Sequence, residues 1–250
     1  MPRLDGTTLV VGLGKSGLSA VRALTALGAT VAVTDSRRDP PGLAALRAEF
    51  PALPCHLGGF DPALFAGAAR LLVSPGVAVA TPVIAETAAR GVPVWGDIEL
   101  LARLTRAPVA AITGSNGKST VTTLLGEMAA RAGARAAVGG NLGTPALDLW
   151  LAAERGASPE RAPELYVLEL SSFQLETTHS LNARVATVLN ISPDHMDRYD
   201  TLDDYIAAKR RIFRGDGAMV VNADDPAVLA MVEPGREVLR FTLNEPGEGE

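Results

Sequence analysis

"AITGSNGKST" at residues 111–120 decides how the chain is read. An apolar run ends in a glycine turn that opens a helical stretch. That is the context in which backbone N–H groups and the helix dipole collect an anion. The usual phosphate loop reads G-x-x-x-x-G-K-[ST]. Gly117, Lys118 and Ser119 supply its end, but Ile112 stands where the first glycine should be, and the nearest upstream glycine is Gly114. The loop is therefore shorter than usual. Within it Gly114, Ser115, Asn116 and Gly117 offer backbone, and Lys118 offers charge to β- and γ-phosphates. The hydroxyl of Ser119 or Thr120 suits Mg²⁺.

Outward from the loop, short apolar runs alternate with Ala/Leu/Arg-rich helical stretches. Strands are expected at 108–114, 135–141, 164–172, 184–190, 217–224 and 237–243, and helices at 118–133 and 201–213. Thr201 is the expected N-cap of the latter helix, with Asp204 close to a capping box. An earlier set has strands at 7–12, 30–35 and 70–76 and helices at 15–28, 41–50 and 81–91. Strand–helix alternation predicts an α/β fold with parallel sheets covered on both faces. A Rossmann-like N-terminal domain over 1–95 precedes a P-loop-containing central α/β ATPase domain over 96–250. A helix over 96–106 is expected to bridge the two sets, and 157–164 reads as a surface loop. The last strand has no closing helix, so the second domain looks cut short.

Bulk properties narrow the function. The chain has 250 residues, 47% hydrophobic but only 4% aromatic, so Ala, Val and Leu must fill the core. A net charge of −5 speaks against a nucleic-acid partner, which favours a basic surface. The single cysteine, Cys55, has no internal disulfide partner, which fits a reducing compartment. The N-terminus lacks a signal-peptide layout. No apolar run approaches the ~20 residues of a membrane span. A cytoplasmic protein with no membrane insertion is expected.

A second glycine loop, Gly12-Leu13-Gly14-Lys15-Ser16-Gly17, follows the first strand, and Asp35 closes the next. By pattern this is a fingerprint for a nucleotide diphosphate, with the acid on a ribose hydroxyl. It does not separate NAD from UDP, and a ligand-free tight turn remains the bland reading. Ser74, Pro75 and Gly76 end a later strand of the same set and reach the same side of the sheet. In the second set, Glu169 ends a strongly apolar strand, where a carboxylate is costly unless paired or metal-bound. Glu176 reads as a plain surface acid. His195 sits among Asp194 and Asp197 after a strand, open between a solvated loop histidine and a metal or catalytic one. By spacing alone Lys209 is a surface lysine.

Taken together and in this order, TGSNGKST (113–120), GGNLGTPA (139–146), LELSSFQLE (168–176) and DHMDRY (194–199), with GLGKSGLS and SPGVA in the first set, resemble the Mur ligases. The likeness is greatest to the members that add D-glutamate. It implies an ATP-dependent ligase that phosphorylates the carboxyl of UDP-N-acetylmuramoyl-L-alanine. The acyl-phosphate is then attacked by the amine of D-glutamate, in peptidoglycan precursor synthesis. It further implies that Lys118 contacts the ATP phosphates and that Ser119 or Thr120 and Glu169 hold Mg²⁺. Asn141 and His195 flank the acyl-phosphate, with His195 at a second Mg²⁺. Lys209 corresponds to a lysine carbamylated by CO₂. In the first domain the fingerprint serves UDP, lined by Gly14, Lys15, Ser16, Asp35, Ser36, Ser74, Pro75 and Gly76, with Gln174 a substrate contact. The resemblance implies that the family's third, amino-acid-binding domain is absent, so the chain is expected to bind its UDP substrate without completing ligation, and a monomer is expected. A related Mur ligase, a folylpolyglutamate synthase-like ligase, a nicotinamide-dependent dehydrogenase and a nucleotide-binding module without chemistry stand as alternatives.

Overall fold

The computed structural model describes residues 3–156 and 162–245. Residues 157–161 of the expected surface loop lie outside them. The chain divides into two compact units, Met1–Leu104 with Pro145–Ala152, and Thr105–Thr144 with Ala153–Glu250.

The first unit runs β1 (Thr7–Val11), α1 (Lys15–Ala26), β2 (Thr30–Asp35), α2 (Leu43–Glu49), β3 (Cys55–Leu57), α3 (Pro62–Ala66), β4 (Arg70–Val73), α4 (Pro82–Ala89), β5 (Val94–Trp95) and α5 (Asp97–Leu104). Its strands form one parallel sheet in the order β3-β2-β1-β4-β5. The chain leaves β1 toward one edge and returns to the other side at β4. The turns after β1 and β4 therefore open at a topological switch point, where α/β sheets receive ligands. Leu9, Val11, Leu71 and Val73 pack one core cluster with Phe65 and Ile84. The helix expected as a bridge is α5. It packs within the first unit instead, because Ile98, Leu100 and Leu101 are fully buried there.

Next come β6 (Val109–Thr113), α6 (Lys118–Arg131), β7 (Ala136–Gly140), α7 (Ala146–Arg155), β8 (Leu165–Glu169), α8 (Ser172–Glu176) and β9 (Val185–Val188). They are followed by α9 (Leu202–Arg210) with a 3₁₀ turn at Arg211–Phe213, then β10 (Ala218–Asn222), α10 (Pro226–Leu229) and β11 (Val238–Phe241). The second sheet is also parallel, in the order β11-β10-β9-β6-β8-β7. Every residue of β6 is buried, which explains why VAAIT is continuously apolar rather than alternating. β6 lies between β8 and β9, at the second sheet's own switch point. Register sets Ile112 beside Glu169 and Gly140 on Glu169's other side. Among the described residues no helix is long and apolar enough to cross a membrane.

Candidate functional site: two glycine loops at strand ends

The first loop is fixed by its neighbours. Gly17 lies so close to Gly12 O that a Cβ there would collide with it. Ser74 Oγ donates to the same carbonyl at 2.7 Å, tying the end of β4 to the loop. Gly14 is the N-cap of α1 and faces open space. Lys15 and Ser36 are exposed, and Ser16, Pro75 and Gly76 are at least partly so. Asp35 differs from these. Its side chain is 2% exposed, and its oxygens accept from Leu13 N at 2.7 Å and from Arg37 N, Nε and Nη2 at 2.7–2.9 Å. Burial opposes its ionisation, but the Arg37 guanidinium and the two backbone amides hold its pKa below the ordinary value. The carboxylate shapes the loop, and its acceptor positions are already filled.

The second loop is more elaborate. Gly117, at φ 78°, caps α6, and the first helical bond runs from Val121 N to Gly117 O. The amides of Lys118, Ser119 and Thr120 thus face out of the helix end. Lys118 Nζ turns back to donate to Gly114 O and Ser115 O, both at 2.9 Å. Ser115 N donates to Asn190 O at 3.0 Å. The Asn190 side chain grips Asn116 at both backbone atoms, accepting its N–H at 2.8 Å and donating to its O at 3.1 Å. Ser115 Oγ links Ser192 and the Tyr205 hydroxyl.

Glu169 stands at the mouth of this loop. It is 3% exposed, and its carboxylate accepts from Ser119 Oγ at 2.6 Å and Asn141 Nδ2 at 2.7 Å. Both partners are neutral. Gly140, at φ 102°, passes so near Glu169 O that a Cβ would collide with it. That approach lets Asn141 N donate to Glu169 O at 2.8 Å and aims the Asn141 amide at the carboxylate. Among the described residues no group of three or more His, Cys, Asp or Glu forms a metal cage. One carboxylate and one or two hydroxyls at a phosphate loop are nonetheless a fitting donor set for Mg²⁺, which takes most of its ligands from phosphate and water. A buried anion with only neutral partners suits such a cation.

Lys209, which spacing alone placed on the surface, is 2% exposed. It lies on the face of α9 that also buries Tyr205 and Ala208. Its Nζ donates to Gly114 O at 2.9 Å and Thr113 Oγ1 at 3.3 Å and sits 4.7 Å from the Tyr205 ring centroid. Desolvation and then the Lys118 charge push its pKa down to about 7, against the pull of Asp194 and Glu169. Gly114 O thus receives both lysines. His195 is exposed, carries φ 55°, and packs against Phe173 with ring centroids 4.7 Å apart. Its backbone N–H donates to Asp194 Oδ1 at 2.9 Å.

Two expectations change. Gln174 is 1% exposed and completes a capping box on α8, its Oε1 accepting from Ser171 N at 3.1 Å; it supports α8 from within. Glu176 is no plain surface acid: it is largely buried and pairs with Arg198 at 2.8 Å, whose guanidinium lies over Phe173. Thr120 is exposed on the first turn of α6. Tyr205 was not among the expected site residues, although its i, i+4 spacing to Lys209 put both on one helix face.

Two protein-family models match the chain: "Mur ligase MurD-like, N-terminal domain" over residues 6–96 and "Mur ligase middle domain" over residues 112–248. The chain is 56% identical over 249 residues to a UDP-N-acetylmuramoylalanine–D-glutamate ligase of Nitrosococcus oceani, covering 100% of this chain and 53% of the relative. It is 56% identical over 240 residues to the enzyme so named in Methylococcus capsulatus, covering 96% of this chain and 50% of the relative. The chain spans about half the length of the curated relatives it matches. Among solved structures it is similar to UDP-N-acetylmuramate:L-alanyl-gamma-D-glutamyl-meso-diaminopimelate ligase from Neisseria meningitides, with a TM-score of 0.61 at 17% identity, covering 95% of this chain and 77% of the other. It is also similar to UDP-N-acetylmuramate-alanine ligase from Thermotoga maritima, with a TM-score of 0.54 at 18% identity, covering 96% and 53%. At these identities the structural likeness speaks to the fold alone.

Proposed function

The chain belongs to the Mur ligase family, and from that premise we propose that it supplies the UDP-substrate and ATP sites of a ligase that adds D-glutamate to UDP-N-acetylmuramoyl-L-alanine. The reaction serves peptidoglycan precursor synthesis and runs in the cytoplasm, with the protein as a monomer. The first unit takes the UDP moiety at the N-terminus of α1, against Gly14, Lys15, Ser16, Ser36 and Ser74 to Gly76. Asp35 contributes by holding that loop in shape. The second unit takes ATP on Gly114–Thr120.

On this reading Lys118 leaves the carbonyls of Gly114 and Ser115 and turns to the β- and γ-phosphates. Glu169 and the hydroxyl of Ser119 or Thr120 hold Mg²⁺, and His195 with Lys209 attends a second Mg²⁺. Bound there, Mg²⁺ offsets the repulsion between the phosphate oxygens and the substrate carboxylate. Asn141 orients Glu169 and, with His195, flanks the acyl-phosphate, while Gln174 supports α8 behind them. Lys209 is the residue to take up CO₂. Its uncharged amine attacks the carbon and loses a proton, leaving a carbamate anion where a cation stood.

The observation that carries this reading is the buried Glu169 carboxylate, hydrogen-bonded to neutral Ser119 and Asn141 beside the Lys118 loop. Calorimetric titration with ATP tests it. Mg²⁺ should tighten binding to the parent chain, Glu169→Gln should erase that tightening, and Lys118→Ala should weaken binding with or without Mg²⁺. Unchanged Mg²⁺-dependence in Glu169→Gln, or unchanged affinity in Lys118→Ala, refutes the assignment. The dehydrogenase alternative needs the Asp35 carboxylate for a ribose, and Leu13 and Arg37 already occupy it.

A further inference from the structure

The turn Asn222-Ala223-Asp224-Asp225-Pro226 closes β10 and opens α10. Its side chains reach beyond their own turn. Asp225 Oδ1 caps α10 by accepting from Ala227 N at 2.9 Å and Val228 N at 3.2 Å. Its other oxygen accepts from Ile191 N at 2.7 Å. Asn222 Nδ2 donates to Leu189 O at 3.0 Å, and Asn222 Oδ1 accepts from Asp224 N at 2.9 Å. One short turn thus grips the backbone on both sides of Asn190.

Asn190 is the residue that clasps the phosphate loop. It binds Asn116 at two atoms through its side chain and Ser115 N through its carbonyl. The side chain can make that two-point contact only while the backbone at 189–191 is held still. A carboxylate acceptor for Ile191 N gives a charge-assisted bond, stronger than a neutral one.

We propose that Asn222 and Asp225 are positioning residues that hold the nucleotide loop in shape from behind, through Asn190. The inference rests on the ATP-binding reading for its consequence, but the clamp is testable without nucleotide. Asp225→Asn keeps a side-chain oxygen for the α10 cap and leaves no carboxylate oxygen for Ile191 N. Asp225→Ser keeps a cap and is too short to reach Ile191. Amide hydrogen exchange followed by NMR reads Ser115 and Asn116 directly.

In either variant those two amides should exchange about tenfold faster, while Val220 and Val221 of β10 stay protected. The Kd for Mg-ATP should rise about five- to tenfold at a nearly unchanged unfolding midpoint. Unchanged exchange at Ser115 and Asn116 overturns the clamp, as does faster exchange shared equally by β10. Titrating the parent and Lys118→Ala chains with Mg-ATP judges the ATP reading separately. Failure of the parent to bind refutes that reading, while the exchange data still decide whether Asp225 holds the loop.

Discussion

Replacing Lys209 by Met should make the second unit more stable in mild acid, and the advantage should fade as the pH rises. The amine is 2% exposed, and its nearest acceptor, Gly114 O, also receives Lys118. Its pKa stands at about 7 in the folded chain against 10.5 for a free lysine. Below pH 7 both the folded and the unfolded chain carry the ammonium, and the native state bears the full cost of burying it. Between about 7 and 10.5 the unfolded chain alone holds the proton, so stability rises with pH through that window. The separation corresponds to a cost on the order of 5 kcal/mol at pH 6. Lys209→Met removes the charge and with it the slope, leaving a constant offset for the lost hydrogen bonds to Gly114 and Thr113. Urea unfolding followed by circular dichroism at pH 6 to 10, in CO₂-depleted buffer, gives the difference between variant and parent. Other titrating groups cancel in that difference. Trp95 and Trp150 both lie in the first unit, so tryptophan fluorescence reports on that unit and circular dichroism on the whole chain. A parent-minus-variant difference that stays constant from pH 6 to pH 10 refutes the reasoning.

Gly140→Ala should destabilise the second unit by about 2–3 kcal/mol, because the new Cβ meets Glu169 O and the backbone sits at positive φ. It should also displace Asn141, seen as a lower urea midpoint together with weaker Mg-ATP binding. Ser74→Ala leaves the buried Gly12 carbonyl without its hydroxyl donor. It should cost about 1–2 kcal/mol in the tryptophan-monitored transition and loosen binding of a UDP-sugar to the first loop, whereas equal affinity would free Ser74 of any part in shaping that site.

The central strands and the two glycine loops were legible because buried parallel strands read as unbroken apolar runs and each loop announces its helix. VAAIT and its GKST helix lie where the periodicity put them, and Thr201 forms the expected capping box with Asp204. The three-residue β3 and two-residue β5 were not legible, since runs that short carry no period. The helix α7 was missed although ALDLWLAAER is amphipathic and Thr144-Pro145 ahead of it is a helix-start signal. Lys209 shows the deeper limit. Burial of a lysine depends on which helix face meets the sheet, and only the resemblance pointed to it. Asn190, Asn222 and Asp225 have unremarkable sequence contexts, and their roles exist only once β9 and β10 lie side by side.

The two loops share a backbone device and differ in charge, which supports giving them different ligands. In the first, the Asp35 carboxylate is neutralised by Arg37 and consumes Leu13 N–H. It leaves the exposed Lys15 as the loop's own cation and no uncompensated carboxylate to recruit a metal. A diphosphate ester, bound through helix-end amides and one lysine, matches that balance. In the second, Lys118 and Lys209 share one carbonyl, while the Glu169 carboxylate is hydrogen-bonded to neutral Ser119 and Asn141 and is not paired directly with either lysine. A metal-free diphosphate would leave that carboxylate facing more negative charge. A triphosphate carrying its own divalent cation satisfies lysine and carboxylate together. The proposed pairing of UDP with the first loop and ATP with the second thus rests on where the carboxylates find their partners, which glycine spacing alone does not give.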